Sequence, residues 1–503
     1  MNLTKIIRPF FVNRLRQSDA ATEDTEEAQR RQLAMLVKTA AGTEWGQRHS
    51  YSRIAGYDDY RRAVELTPYE KLRPQVMRII EGERNVLWPG LTRRFAQSSG
   101  TSDGKSKYIP VTDDSLRLNH YRGGADVVAR YMTLYPDSRI FSGRSFILGG
   151  SFANGLNLPS GSGVKVGDLS ANLIEAINPL ANLFRIPDKK TALMPDWHLK
   201  LPALVKAAAR HDVTNISGVP SWFLTVLNEL LRYTGAEEIH QVWPNLEVFF
   251  HGGISFLPYR LQYDRIIDPT KMRYLETYNA SEGFFAIQDS RDSRAMRLIT
   301  DGGVFYEFIP VDNPEAGPVA AWEVEQGKIY ESVISSCNGL WRYPTGDTLK
   351  IESTAPLRVT IFGRTKHYIN AFGEEVMVHN TDAALATACE QCGCAVRNYT
   401  VAPVFAADGR KGYHQWLIEY SRCPADSEAF ANALDKALTA ENSDYEAKRA
   451  GNIFLGRLRI TEAREGLFDA WLESTGKLGG QRKVPRLSND RKVMDAMLRF
   501  NDN

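Results

Sequence analysis

The chain has 503 residues, with 62 lysines and arginines, 60 aspartates and glutamates, 43% hydrophobic and 10% aromatic residues. This globular composition excludes a disordered chain, a collagen-like repeat and a disulfide scaffold, and the length allows roughly two to four domains. The net charge of +2 lacks the basic excess of a dedicated nucleic-acid binder, so we expect no nucleic-acid partner.

No apolar run approaches the roughly 20 residues of a membrane span, and the N-terminus lacks the features of a signal peptide. A surface amphipathic helix is the alternative for that segment. The cysteine count is odd, and Cys389, Cys392 and Cys394 do not have the spacing of paired zinc ligands. We expect free buried thiols, a cytoplasmic protein with no membrane partner and, because no repeat demands assembly, a monomer.

In chain order, the first part of the sequence predicts helices, and Leu33, Leu36, Val37 and Ala40 fall on one helical face. Farther on, short apolar runs alternate with helical stretches, which predicts an α/β fold. A buried helix is expected over 220–233, since proline suits a first helical turn. The predicted strands are 213–217, 246–250, 272–277, 304–310, 328–335 and 358–362.

The pattern changes again in GRTKHYINAFGEEV (363–376), which predicts a compact turn-and-strand segment. We place a domain boundary at about 363–366. The expected architecture is a large N-terminal domain (1–363), with β-sheets flanked by helices, and a smaller α+β C-terminal domain (364–503) of ordinary domain size.

The segment FAQSSGTSDGKSKYIP (95–110) concentrates hydroxyl, glycine and lysine residues. Glycine lets backbone amides converge on an anion, hydroxyls add donors, and Lys105 or Lys107 adds charge, which favours a phosphate cradle. A flexible surface loop has the same composition and stays an alternative. The spacing is not that of the Walker motif.

Two further motifs carry carboxylates. In YNASEG (278–283), Glu282 follows a predicted strand and is a candidate Mg²⁺ ligand, because Mg²⁺ takes one or two carboxylates plus phosphate oxygens. In YPTGD (343–347), Asp347 follows a glycine turn and is a candidate ligand for ribose hydroxyls. The alternatives are a solvated loop glutamate and an ordinary turn aspartate.

A Gly-Gly pair follows another predicted strand, in His251-Gly252-Gly253. In open α/β sheets, ligands bind outside the carboxyl ends of the strands, so a flat base could approach the bare backbone here. His251 itself is expected to be structural.

The order of these motifs, with TEWG (43–46), NSDYEAKR (442–449) and QRKVPR (481–486), resembles the acyl-adenylate-forming superfamily. More closely, nearly the whole chain is similar to the Gretchen Hagen family of acyl-acid amido synthetases, an auxin-responsive plant family with bacterial relatives. The resemblance implies ATP and Mg²⁺ as cofactors and a mobile C-terminal domain that rotates about residues 364–366.

The resemblance also implies roles for individual residues. Those expected to bind the nucleotide are Ser98, Ser99, Thr101, Gly252, Gly253, Tyr278, Asn279, Ser281, Asp347 and Arg364. Those expected to be catalytic are Lys483, Glu282 and Lys107, with Glu282 as the metal ligand. Lys366 occupies the hinge position, and Lys483 is the lysine that reaches the α-phosphate on domain closure. The chain differs from the family in HGGIS (251–255) and AFGEEV (371–376).

The resemblance implies a reaction that joins a small-molecule carboxylic acid to an amine through an acyl-adenylate, and an amino acid is the expected amine. Candidates for the acid pocket are the helix over 120–128, the pair Trp222-Phe223 and the Gly-rich stretch 149–167. An acyl-CoA ligase, an amide synthetase acting on an unusual acid or amine, and a non-catalytic nucleotide-binding relative are the alternatives.

Overall fold

The computed structural model describes residues 3–98, 107–152, 156, 158, 163–253, 256–364, 368–369, 371, 374, 376–404, 412–442, 445–446, 449, 455–475 and 484–502. Within these ranges, none of the helices combines the length and the apolar content that crossing a bilayer requires.

The helices of the described part are α1 (Leu3–Ala21), α2 (Thr25–Ala40), α3 (Glu44–Arg48), α4 (Tyr57–Ala63), α5 (Tyr69–Ile80), α6 (Tyr121–Leu134), α7 (Leu169–Ala176), α8 (Pro179–Asn182), α9 (Lys189–Ala192), α10 (Trp197–Ala208), α11 (Pro220–Thr234), α12 (Ile239–Val242), α13 (Arg260–Ile266), α14 (Val378–Cys392), α15 (Ser427–Glu441), α16 (Leu467–Ser474) and α17 (Lys492–Asn501).

The strands of the described part are β1 (Arg94–Ser98), β2 (Lys107–Pro110), β3 (Arg144–Ile147), β4 (Lys165–Gly167), β5 (Arg185–Ile186), β6 (Val213–Gly218), β7 (Val248–Gly252), β8 (Arg273–Ala280), β9 (Gly283–Gln288), β10 (Met296–Leu298), β11 (Val304–Pro310), β12 (Val319–Ala320), β13 (Ile329–Ser336), β14 (Tyr343–Thr354), β15 (Leu357–Arg364), β16 (Tyr368–Ile369), β17 (Val376–Met377), β18 (Ala395–Val404), β19 (Tyr413–Arg422) and β20 (Arg459–Ala463).

The helices predicted from local patterns are present where they were expected. Asp24 caps α2 by accepting a hydrogen bond from the Glu27 amide, and the face predicted to be apolar is buried. Helix α11 begins at Pro220 and ends at Gly235, whose φ of 72° suits a residue without a Cβ. Both helices therefore follow from capping residues and apolar periodicity.

One 12-stranded sheet, in the order β12-β11-β13-β14-β15-β10-β9-β8-β7-β6-β3-β5, organises the larger part of the chain. The strands β5, β3, β6, β7 and β8 are parallel, whereas all pairs from β8–β9 to β11–β12 are antiparallel. The mixed α/β class is confirmed, and the change of strand direction falls at the YNASEG motif.

Two strand ends differ from the sequence prediction. The strand predicted at 246–250 runs instead from Val248 to Gly252, because Gly252 pairs with Thr277 of β8. The strand predicted at 272–277 continues to Ala280, which pairs with Gly283 of β9. Most of YNASEG is thus strand backbone, and only Ser281 and Glu282 form the turn.

A separate three-stranded sheet of β18, β19 and β20 packs with α14 and α15 near the C-terminus. It contacts the larger part through α13, because the Gln262 Nε2 donates to the Val396 carbonyl oxygen at 2.8 Å. All five cysteines are free; Cys423, just beyond the end of β19, is exposed, which corrects the expectation of uniformly buried thiols.

Candidate active site

The carboxyl ends of the parallel strands β3, β6, β7 and β8 open onto a cavity of about 2320 Å³. Ligands bind at this position in open α/β sheets. The C-terminal part contributes to the cavity wall through Arg397, Tyr399, Arg422, Asp469, Val484 and Arg486. The cavity is therefore bounded by both parts of the chain.

The end of β7 presents bare backbone to this cavity. A Cβ atom on Gly252 would lie 2.4 Å from the Thr277 carbonyl oxygen and 3.0 Å from Asn279 Oδ1. Gly253 has a φ of 79°, a conformation that residues with side chains rarely adopt. Both positions favour glycine, and both residues line the cavity without a side chain.

His251 has a structural environment, as its sequence context predicts. Its ring stacks on Phe256 with 4.6 Å between ring centroids, and only 4% of the residue is exposed. Burial, with smaller contributions from the charges of Arg294 and Arg260, lowers the pKa of His251 to about 3. The imidazole is therefore neutral at physiological pH.

Tyr278 and Asp347 form one buried pair at the cavity. The Tyr278 hydroxyl donates to Asp347 Oδ2 at 2.6 Å, and the Asp347 amide donates to Thr345 Oγ1 at 3.1 Å. Arg364, the last residue of β15, pairs through its backbone with Asp347. The structure thus brings three residues of the predicted nucleotide site together, and a carboxylate oriented in this way can accept hydrogen bonds from ribose hydroxyls.

A second cluster joins the start of β2 to the YNASEG turn. Lys107 Nζ donates to the Tyr343 hydroxyl oxygen at 2.7 Å, and the Tyr343 hydroxyl donates to Glu282 Oε1 at 3.3 Å. Glu282 and the neighbouring Ser281 line the cavity. The Tyr343 phenol thus bridges the Lys107 ammonium and the Glu282 carboxylate and holds the two charged groups side by side. Sequence analysis missed Tyr343, although it is the first residue of YPTGD.

Some of the predicted residues lie outside the described residues, namely Ser99, Thr101, Lys105, Lys366 and Lys483. The backbone of Ser98 pairs with that of Lys107 in the β1–β2 hairpin.

Arg486, near the end of QRKVPR, makes a contact between the two parts of the chain that sequence analysis did not identify. Its Nη2 donates to the Tyr259 hydroxyl oxygen at 2.8 Å, and its guanidinium lies 4.3 Å from the centre of the Tyr399 ring. The Arg486 backbone accepts from the Val401 amide at 2.8 Å, which fixes the segment against β18. The sequence signal that could have identified Arg486 is that QRKVPR contains basic residues other than the predicted lysine.

The candidate acid-binding elements also border the cavity. Helix α6 and the residue before it contribute His120, Tyr121, Gly124, Val127 and Val128. From the other predicted regions, Gly149, Gly150 and Trp222 line the cavity as well. Phe223 does not fit the prediction, because its side chain is fully buried in the core on the opposite sheet face.

Comparison with solved structures defines the class of fold. The chain superposes on an acyl acid amido synthetase, AtGH3.15 in complex with 2,4-DB, with a TM-score of 0.79 and 17% identity over 97% of this chain and 95% of that one. It also matches a 2-hydroxyisobutyryl-CoA ligase in its postadenylation state, with a TM-score of 0.62 and 13% identity over 96% and 93% of the two chains. The fold is that of the adenylate-forming ligases.

Within that class, the chain belongs to the GH3 family. The GH3 family N-terminal domain matches residues 14–272, the central domain matches 297–364 and the C-terminal domain matches 379–492. A probable indole-3-acetic acid-amido synthetase of Arabidopsis thaliana is 23% identical over 96% of this chain and 92% of its own. A jasmonoyl-L-amino acid synthetase of Oryza sativa subsp. japonica is 23% identical over 94% of both chains.

Proposed function

We propose that the protein is an ATP-dependent acyl-acid amido synthetase. In the first half-reaction, a carboxylate oxygen of the acid attacks the α-phosphorus of ATP, and pyrophosphate leaves. In the second, the nitrogen of an amine, an amino acid in this proposal, attacks the acyl carbon, AMP leaves with the bonding electrons, and the amine loses a proton to give the amide. The observation that carries the proposal is that Tyr278, Asp347 and Glu282 line one cavity, with Lys107 and Tyr343 bonded in sequence to Glu282 behind its wall.

Individual residues have distinct roles in this proposal. The glycines at the end of β7 accept the adenine ring, and Asp347, oriented by Tyr278, holds the ribose, beside Arg364. Lys107 neutralises phosphate charge as the two anions meet, and the hydroxyls of Ser98, Ser99 and Thr101 donate hydrogen bonds to the phosphates. Catalysis then depends on positioning and electrostatics, with no covalent intermediate on the protein.

The donor set at the YNASEG turn fits Mg²⁺. Glu282 offers one buried hard oxygen ligand beside the phosphate-binding lysine, and Mg²⁺ typically takes one or two carboxylates and completes its shell with phosphate oxygens and water. A bound Mg²⁺ would neutralise phosphate charge. Glu282 is the residue that we assign to hold it.

We further propose the domain division at about 363–366, with Lys483 acting from the C-terminal domain. The match of the central family domain up to residue 364 supports this division. Two observations support a tail positioned to act at the cavity. The Arg486–Tyr259 contact holds the QRKVPR segment against the larger part of the chain, and Val484, next to Lys483 in sequence, borders the cavity. The free thiols suit a cytoplasmic location, and one chain supplies every residue that the proposal uses.

The first experiment measures carboxylate-dependent pyrophosphate release from ATP over a panel of aryl, indole and fatty acids. The best acid is then tested with pooled amino acids and, separately, with CoA. Amide formation is the expected result. A thioester alone would assign the protein to the acyl-CoA ligases, and ATP binding without pyrophosphate release from any acid would contradict an enzymatic role. Asp347→Ala should abolish release, whereas Asp312→Ala, in an exposed bend, should not.

A further inference from the structure

The cavity continues beyond the predicted nucleotide site, across the face of β5, β3 and β6. Ser145 of β3 pairs directly with Arg185 of β5 and with Asn215 of β6. Directly paired residues point to the same side of a sheet, so these three side chains form a polar row across adjacent parallel strands. All three line the cavity, and Ser217, farther along β6, adds another hydroxyl.

The helices that face this row present apolar side chains. Val127 and Val128 of α6 and Leu173 of α7 line the cavity, as does Ile177 just after α7. The Tyr121 hydroxyl donates to the Leu173 carbonyl oxygen at 2.9 Å and ties the two helices together. This end of the cavity therefore has one polar, positively charged wall and one apolar wall.

Arg185 carries a buried charge that makes no direct contact with a carboxylate among the described residues. Only 5% of the residue is exposed. Its Nε and Nη2 donate to Asn182 Oδ1 at 3.2 and 2.6 Å, and its Nη1 donates to the Pro187 carbonyl oxygen at 2.6 Å; all of these acceptors are neutral. Within the described ranges, no acidic group lies within 4.0 Å of the guanidinium nitrogens. Buried charges are normally paired, so this one indicates an anionic ligand.

Asp188 does not fill this role. Asp188 raises the pKa of Arg185 through its charge, but burial has the larger effect and lowers that pKa overall. The Asp188 side chain is exposed and caps α9, where Oδ1 accepts from the Thr191 amide at 2.8 Å. Its carboxylate is therefore engaged outside the cavity.

We propose, on the basis of the function proposed above, that the acid substrate has an apolar body and a second anionic group that binds Arg185. Arginine recognises carboxylates through paired N–H donors, and Ser145 and Asn215 supply further hydrogen bonds beside it. The apolar helices enclose the body of the substrate. The substrate class is thus the dicarboxylic acids, of which one carboxylate is adenylated and the other is held by the guanidinium.

Strand geometry sets the length of such an acid. Arg185 is three strands away from Val248 of β7, through the paired residues Ser145 and Asn215, and each strand spacing is about 4.8 Å. Gly252 lies four residues farther along β7, at about 3.3 Å per residue. The Cα atoms of Arg185 and Gly252 are therefore about 20 Å apart. Gly252 marks the proposed nucleotide site, so after allowance for both the nucleotide and the arginine side chain the two carboxylates of the substrate are on the order of 10 Å apart. Decanedioic acid has this span and serves as the probe.

The test compares decanoic acid, decanedioic acid and monomethyl decanedioate in the pyrophosphate assay, together with aryl monoacids and diacids of similar span. We expect kcat/KM for the diacid to exceed that for the matched monoacid by about 100-fold, since a site built to pair a polar group rejects the analogue without it. Arg185→Met should remove this preference while monoacid turnover persists, and Arg185→Lys should retain part of it. Arg144→Met, on the neighbouring strand, is the control and should keep the preference.

Persistent monoacid turnover also shows that Arg185→Met is folded. Equal turnover of monoacid and diacid by the wild type, or an equal loss of both in Arg185→Met, would overturn the inference and leave the amido synthetase proposal standing. Calorimetry with decanedioate and no ATP separates the two proposals. Binding that Arg185→Met loses supports the anion site even if no acid yields pyrophosphate, and absence of binding to the wild type refutes it.

Discussion

The Tyr278 hydroxyl donates to Asp347 Oδ2 at 2.6 Å and joins the end of β8 to β14, two strands that are not neighbours in the sheet. The bond starts at β8, the strand at which the sheet changes from parallel to antiparallel, and spans the antiparallel strands β9, β10 and β15. It fixes the orientation of a carboxylate that is only 5% exposed, and it leaves the second oxygen to other partners. The geometry of the proposed ribose site therefore depends on a tyrosine.

The first prediction concerns this pair. Asp347→Asn should raise the KM for ATP by about 10- to 100-fold, because hydrogen bonds to a charged acceptor contribute about 1.5–3 kcal/mol. Tyr278→Phe should raise it by roughly 3- to 10-fold, since the carboxylate stays but is no longer oriented. Pyrophosphate release at varied ATP concentration measures both values. An unchanged KM in Asp347→Asn would refute the ribose assignment.

The second prediction concerns Tyr343. Tyr343→Phe removes the hydroxyl between Lys107 and Glu282, and we expect the adenylation rate to fall by about tenfold, which corresponds to one hydrogen bond of about 1.4 kcal/mol. Single-turnover pyrophosphate release measures this rate. Tyr330→Phe, a buried change on the neighbouring strand β13, provides a matched control. Equal effects of the two substitutions would indicate a general loss of packing.

The third prediction tests the metal assignment. Glu282→Gln keeps the size of the side chain but removes its charge, so the Mg²⁺ concentration for half-maximal activity should rise by at least about tenfold. The measurement is a Mg²⁺ titration of pyrophosphate release at saturating ATP. Rates at saturating Mg²⁺ should recover in part. If the titration midpoint stayed at the wild-type value, another residue would be the ligand.

The fourth prediction concerns the contact between Tyr259 and Arg486. Tyr259→Phe removes an acceptor of the Arg486 guanidinium, and we expect adenylation to slow by about 5- to 10-fold because the tail is less firmly held at the cavity. Amide formation from preformed acyl-adenylate should change less. Separate assays of the two half-reactions test this, and equal slowing of both would argue against a role in domain orientation.

The fifth prediction is a pH dependence of stability. The pKa of His251 is about 3 in the folded protein and about 6.5 when unfolded, so the unfolded chain binds the proton first as the pH falls. The contribution of neutral His251 is fully present above pH 6.5 and is lost progressively toward pH 3. At pH 5 this costs about 2 kcal/mol of the free energy of unfolding.

Urea unfolding at pH 7 and pH 5 measures this loss. His251→Phe should reduce the difference between the two pH values by about 2 kcal/mol. His211→Gln, a change to an exposed histidine, should leave the difference as in the wild type. An unchanged difference in His251→Phe would contradict the buried neutral state.

Local sequence signals predicted the elements that local interactions determine. Helix α11 could be predicted because proline at its start and glycine after its end are near-neighbour effects. The ends of β7 and β8 could not, because they depend on the pairing of Gly252 with Thr277 and of Ala280 with Gly283. The end of a strand depends on the residues of the neighbouring strand that pair with it, and a local sequence pattern carries no information about them.

In the candidate site, too, the sequence predicted residues in local motifs but not contacts between residues distant in the chain. Glu282 and Asp347 stand in motifs whose residue types indicate their chemistry, so sequence analysis selected them. Tyr343 and Tyr259 were missed because their partners are distant in the chain: Lys107 and Tyr343 are 236 positions apart, and Tyr259 and Arg486 are 227 positions apart. Phe223 was wrongly grouped with Trp222, since adjacent residues on a helix point in different directions.

The division of the large sheet has an evolutionary consequence. Arg185, Ser145 and Asn215 lie on β5, β3 and β6, at the end of the sheet opposite to β14, which carries Asp347. The side chains that we assign to the acid therefore stand on other strands than Tyr278 and Asp347, which we assign to ATP. Substitutions at these positions can therefore change which acid is bound while ATP binding is retained. Related proteins with this fold can thus differ in acid specificity through changes at one end of the sheet.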